Sequence, residues 1–177
     1  MKAWVFALLA ALPITALPCI AHAQLQVTPS PATSPVLGTT IRGSSATTFS
    51  ISTAGAVTRT SGNAIRLSSA SVTTPTISIG CGFLNVSGLC ALRSVRVTIV
   101  PVSGSGPASI VKLRVGSLSG ASYSGSAPAE SSAITFDLQP LGLFGTATFK
   151  LGMDVQLAAG ATSGAKVYDY QVTATFL

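Results

Sequence analysis

The chain has 177 residues, 47% of them hydrophobic and only 8% charged, with a formal net charge of +6. Arg42, Arg59, Arg66, Arg93, Arg96, Lys112, Arg114, Lys150 and Lys166 are scattered singly, without the clustering and interleaved aromatics that a nucleic-acid surface needs, so no nucleic-acid partner is expected. One histidine, His22, and four carboxylates, Glu130, Asp137, Asp154 and Asp169, leave little material for acid-base or metal chemistry.

Residues 1–23 form the expected signal peptide. Met1 and Lys2 give a positive start, Ala3 to Leu17 an apolar run, and Ala21-His22-Ala23 the small-x-small pattern that places cleavage between Ala23 and Gln24. Pro13 and Pro18 interrupt the run, which is shorter than the ~20 residues of a spanning helix, so no membrane span is expected after leader removal. Lipid attachment at Cys19 is disfavoured by Pro18, where a small residue is wanted. The expected destination is the periplasm, the cell surface or the medium, and His22 is lost on the way.

Residues 24–38, with Pro29, Pro31 and Pro35, are expected to be an extended, poorly packed lead-in, and residues 39–177 a single domain. A period of two then recurs: Phe49 and Ile51, Ile65 and Leu67, Ile77 and Ile79, each pair split by a polar residue, mark short half-buried strands. Val95, Val97 and Ile99, the Gly104–Pro107 turn, and Val111, Leu113 and Val115 predict a hairpin. Residues 116–131, rich in Gly and Ser, read as a mobile loop, and Ile134, Phe136 and Leu138 as a strand stopped by Pro140. In residues 146–157 Ala147, Phe149, Leu151, Met153, Val155 and Leu157 face one way and Thr146, Thr148, Lys150, Asp154 and Gln156 the other. After Gly160 and Gly164, the last segment sets Tyr168, Tyr170, Val172, Ala174 and Phe176 on one face. Seven to nine such strands without a helix predict an all-β fold, an immunoglobulin-like antiparallel sandwich of two sheets, with a barrel as the alternative.

Cys81 and Cys90 remain once the leader is removed, and in an exported chain they are expected to form a disulfide. Two thiols without a histidine do not complete a zinc site, and their spacing is far from Cys-x-x-Cys, so no metal, no cofactor and no redox role are expected. No catalytic residue stands out. Asp137 and Asp154 fall on polar strand faces, and Ser109 with Lys112, or Ser163 with Lys166, match a Ser-x-x-Lys pattern that needs a helix, since on a regular strand residues three apart point to opposite faces. Asn85-Val86-Ser87 fits the N-glycosylation pattern and reads as a loop feature.

Three stretches carry a resemblance: Leu37-Gly38-Thr39-Thr40-Ile41; Thr48-Phe49-Ser50-Ile51 with Gly55-Ala56-Val57-Thr58 and Ser61-Gly62; and Gly145-Thr146-Ala147-Thr148-Phe149 with Tyr168-Asp169-Tyr170-Gln171-Val172-Thr173-Ala174-Thr175-Phe176. Together they resemble the bacterial secreted family catalogued as domain of unknown function 4402. The resemblance implies a fimbria-like β-sandwich of the cell envelope and brings no catalytic residues. The expected function is that of a non-catalytic structural subunit assembling by strand pairing, with residues 24–36 as the candidate donor strand. Its expected partners are further copies of itself, other envelope subunits and a periplasmic chaperone. The alternative is a self-contained binding module that recognises a carbohydrate or protein through loops 82–89 or 116–131, where Phe83, Leu84 and Tyr123 are the large contact residues.

Overall fold

The computed structural model describes residues 25–82, 89–102 and 108–177. The expected leader with its Ala23–Gln24 junction, Phe83 and Leu84, the Asn85-Val86-Ser87 pattern and the Gly104–Pro107 turn lie outside them. The described residues form twelve strands and one helical turn: β1 (Leu25–Ser30), β2 (Val36–Ile41), β3 (Thr47–Ile51), β4 (Val57–Ser61), β5 (Ile65–Arg66), β6 (Thr76–Cys81), α1 (Leu89–Leu92), β7 (Val95–Val102), β8 (Ala108–Ser119), β9 (Ile134–Leu138), β10 (Thr146–Leu157), β11 (Gly164–Val167) and β12 (Asp169–Phe176). The fold is all-β, and its sheets are antiparallel.

The main sheet runs β1-β6-β10-β3-β4, with β8 along the other edge of β10; a second runs β12-β7-β9, and a small third β11-β2-β5. β10 is the organising strand. Its unbroken alternation commits one face to the core: Ala147, Phe149, Leu151, Met153, Val155 and Leu157 are all buried. On one edge its first half pairs with β6, Phe149 opposite Ile77, and its second half with β3, Val155 opposite Phe49. On the other edge it carries β8 over nearly its whole length.

The second sheet faces the same core. Val95, Val97 and Ile99 of β7 lie opposite Leu138, Phe136 and Ile134 of β9, and opposite Phe176, Ala174 and Val172 of β12. Phe136 meets Phe149 of the main sheet edge to face, ring centroids 5.6 Å apart, so the two sheets touch through aromatic rings. One apolar cluster contains the buried side chains of all three sheets.

Four expectations change. Residues 25–30 are not a loose lead-in: they form β1, paired with β6 from Leu25 opposite Cys81 to Ser30 opposite Thr76. Pro29 cannot donate to a ladder, which an edge strand tolerates, and β1 has β6 as its one strand partner among the described residues. β7 and β8 are not a hairpin, because they belong to different sheets; alternation does not tell which strand lies alongside, and in β8 a bulge turns the expected inward Val111 out and Ile110 in. Residues 116–119 continue β8, and the rest of the Gly-rich segment is hydrogen-bonded in place. The strand number exceeds seven to nine because β2, β4 and β11 are too short or too polar to show a period, and β1 carries a proline.

Candidate functional site: the flank between β1 and β12

The outer edges of β8 and β9 are stitched together by residues 120–133. Leu113 N–H donates to the Ser131 carbonyl at 2.7 Å and Ser131 N–H returns the bond to Leu113 at 3.2 Å. Ser124 N–H donates to Asp137 O at 2.7 Å and Gln139 N–H to Ser122 O at 2.9 Å, which occupies the edge of β9. Tyr123 turns inward and stacks edge to face on Phe136 at 5.5 Å. The residue expected to offer a contact surface in this loop is instead part of its anchor.

The opposite flank differs. There β1 is paired with β6 and β12 with β7, and neither edge carries another strand among the described residues. Between them lies a cleft of about 190 Å³, floored by Val27, Ile77, Tyr170 and Val172. At one end the Ser34 hydroxyl donates to the Asp169 carboxylate. Desolvation raises the Tyr170 phenol above its ordinary range, so it stays neutral and presents an apolar ring to the cleft.

Open edges are usually protected by charges, prolines, glycines or bulges. From Tyr170 to Phe176, β12 has no charge, no proline and no glycine, and its register with β7 runs without a bulge. Gln171, Thr173 and Thr175 point to solvent while Tyr170, Val172, Ala174 and Phe176 are half-buried. The strand therefore offers a regular row of backbone donors and acceptors beside an apolar floor.

Apart from Asp169, the carboxylates sit elsewhere, each against a cation. Arg96 donates two hydrogen bonds to Asp137, at 2.8 and 2.9 Å, and these bonds hold the Asp137 carboxyl below the usual carboxylate range and raise Arg96. Arg114 donates to Asp154 at 2.6 Å and to Glu130 at 3.0 Å. The face argument against Ser109 and Lys112 does not hold: a bulge at Val111 sets Ser109 opposite Gln156 and Lys112 opposite Asp154, both outward. Lys112 there lies 3.8 Å from Glu130. Lys166 is buried and donates to Thr162, and the Ser163 hydroxyl accepts from the Arg42 N–H. Among the described residues no three His, Cys, Asp or Glu side chains gather as a metal site would require, and no helix is long and apolar enough to cross a membrane.

Cys81 and Cys90 form the disulfide, with Cα atoms 6.3 Å apart. Cys90 is buried on α1, whose carbonyl accepts from Gly142 N–H at 3.0 Å, so the bridge ties the end of β6 to the segment before β10. Replacing both cysteines by alanine is expected to destabilise the protein by about 2–3 kcal/mol, the loop-closure entropy of so short a ring. Thermal unfolding checks this: at this chain size the midpoint should fall by roughly 5–10 °C, and reductant should shift the wild type but not the variant.

Comparison of the chain with protein-family models, curated proteins and solved structures gave no match in any of the three. The flank itself was legible only in part. Alternation of the last strand identifies the half-buried face, but nothing local marks β12 as an edge, and Pro29 in β1, with Pro31 just after it, conceals its pairing.

Proposed function

We propose that this protein is a non-catalytic structural subunit of the bacterial cell envelope that assembles through strand addition at the flank between β1 and β12. The observation that carries the reading is the asymmetry of the two flanks: one is closed by residues 120–133, while along the other the uncharged stretch Tyr170–Phe176 of β12 carries no further strand among the described residues and lies beside a cleft lined by Val27, Ile77 and Val172 with Thr33 and Ser34. An extended segment laid along β12 gains main-chain hydrogen bonds, and its alternate side chains fill the space above Val27, Ile77 and Val172. The two facing sheets fit the immunoglobulin-like sandwich, and the disulfide fits export. The leader pattern and the resemblance to the secreted fimbria-like family point the same way.

The donor needs revision. Residues 25–30 already complete their own sheet, so in assembly they would have to leave β6 of one copy before pairing with another. A periplasmic chaperone lending a strand to the β12 edge is the expected partner before assembly.

Lysine at three solvent-facing positions of β12, Gln171→Lys with Thr173→Lys and Thr175→Lys, adds the charge that edges normally use for protection. Light scattering after size-exclusion chromatography should show concentration-dependent oligomers for the wild type and a folded monomer for the triple variant. Unchanged assembly of the variant, or a wild type that stays monomeric at high concentration, would reject the reading.

A further inference from the structure

Away from the open flank, a second and larger cleft of about 390 Å³ lies between the β3–β4 hairpin and β5 with its following residues. Its volume falls at the lower end of the range of small-ligand pockets. The floor is Phe49, Val57 and Ala64; the walls carry Arg59 and Arg66, with Ser68 and Ser69 on the rim.

The two arginines are held from behind by backbone carbonyls. Arg59 Nη1 donates to Ala64 O at 3.1 Å; Arg66 Nε donates to Leu37 O and its Nη1 to Ser68 O, both at 2.7 Å. Each guanidinium carries five N–H groups in a fixed fork, so both keep donors to spare. All four carboxylates of the chain are engaged elsewhere: Asp137 with Arg96, Glu130 and Asp154 with Arg114, Asp169 with Ser34. The cleft therefore contains two cations and no anion.

Its wall is also rigid. The buried Thr47 hydroxyl accepts from Asn63 N–H at 3.1 Å and Ala64 N–H at 3.0 Å and donates to Ser45 O at 3.1 Å. Gly62 turns the chain at φ 76°, where a Cβ would come within 2.3 Å of Ala46 O. The carbonyl that orients Arg59 is thus fixed before any ligand arrives.

We propose that this cleft binds an acidic saccharide, with the carboxylate of a uronic acid unit between Arg59 and Arg66, ring hydroxyls on Ser68 and Ser69, and the C–H face of the ring on the part-exposed Val57. Guanidinium forks match carboxylates in two-point geometry, and an apolar floor with a few convergent polar groups is the usual build of a ligand site. The inference does not depend on strand assembly.

The test is titration of the purified protein with a galacturonate oligosaccharide, followed by amide chemical shifts. A neutral oligosaccharide of equal length and inorganic sulfate serve as comparison ligands. Shifts should concentrate on residues 57–69, Arg59→Gln should weaken binding at least tenfold with an unchanged amide spectrum elsewhere, and raising the salt should weaken it further. Arg66→Gln should act in the same direction; because Arg66 braces both Leu37 and Ser68 at 2.7 Å while Arg59 makes one longer bond to Ala64, the Arg59 variant decides. Equal binding of the neutral sugar, sulfate binding as tightly as the uronate, shifts confined to other surfaces, or wild-type affinity in Arg59→Gln would each overturn the proposal.

Discussion

Replacing Arg114 by methionine should lower the unfolding free energy by about 3 kcal/mol, the lower end of what removing one partner of a buried ion pair costs. Arg114 stands on β8 opposite Gly152 of β10 and reaches across that empty position to β3. There Nη1 donates to Ser50 Oγ at 2.9 Å and to Ile51 O at 3.0 Å, while Nη2 meets Asp154. The Arg114 and Asp154 side chains are only 17% and 14% exposed, so the bare carboxylate left in the variant would be poorly solvated. Glu130, half exposed, adds little. A denaturant titration measures the loss, and a double-mutant cycle with Asp154→Asn should return a coupling of about 1 kcal/mol or more. A coupling near zero would mean that the guanidinium acts through its packing and its bonds to Ser50 and Ile51 rather than through Asp154. Gly152→Ala tests the same clamp from below: the new Cβ would come within 2.8 Å of Arg114 Cγ and of Ile51 O, an overpacking that costs about 2 kcal/mol.

That clamp shows where sequence reasoning stops. Arg114 and Asp154 read as polar-face residues, and both are. What the pattern did not contain is that the glycine between Leu151 and Met153 is vacant so that an arginine on the neighbouring strand can cross it to reach β3. The same division applies to the fold. The inward residues of β10 and β12 followed from a period of two, because each side chain's face is fixed by its own strand. Partner choice depends on residues far apart in sequence, so the expected β7–β8 hairpin became two strands of different sheets. β1 was hidden for another reason: Pro29 within it and Pro31 just after it mark an extended chain as clearly as a disordered one, and only the presence of β6 alongside distinguishes them. The disulfide was legible because, with Cys19 assigned to the expected leader, Cys81 and Cys90 were the pair left. The arginine cleft was not, since Arg59 and Arg66 look like isolated surface charges until the β4–β5 corner brings them together.

Phe149→Ala should be the most damaging single truncation, at about 4 kcal/mol, because the site cannot collapse around the missing ring. Phe149 is fully buried, and its edge-to-face contact with Phe136 continues to Tyr123. The three rings join β10 of the main sheet, β9 of the second and the segment that closes the β8–β9 flank. At this chain size the loss corresponds to a fall of roughly 8–16 °C in the unfolding midpoint, whereas Phe149→Leu, which keeps most of the volume, should cost under about 1.5 kcal/mol. The consequence reaches beyond stability. With Phe136 no longer supported, Tyr123 loses its seat, and amide exchange should accelerate at Ser124 and Ser131, whose hydrogen bonds close that flank. The amide of Leu177, bonded to Ser94 O at the far end of β12, should exchange as before. If the closed flank is what confines strand addition to β12, the alanine variant should also form irregular, heterogeneous aggregates where the leucine variant forms regular oligomers. Regular oligomers from both would show that the choice of edge resides in β12 alone.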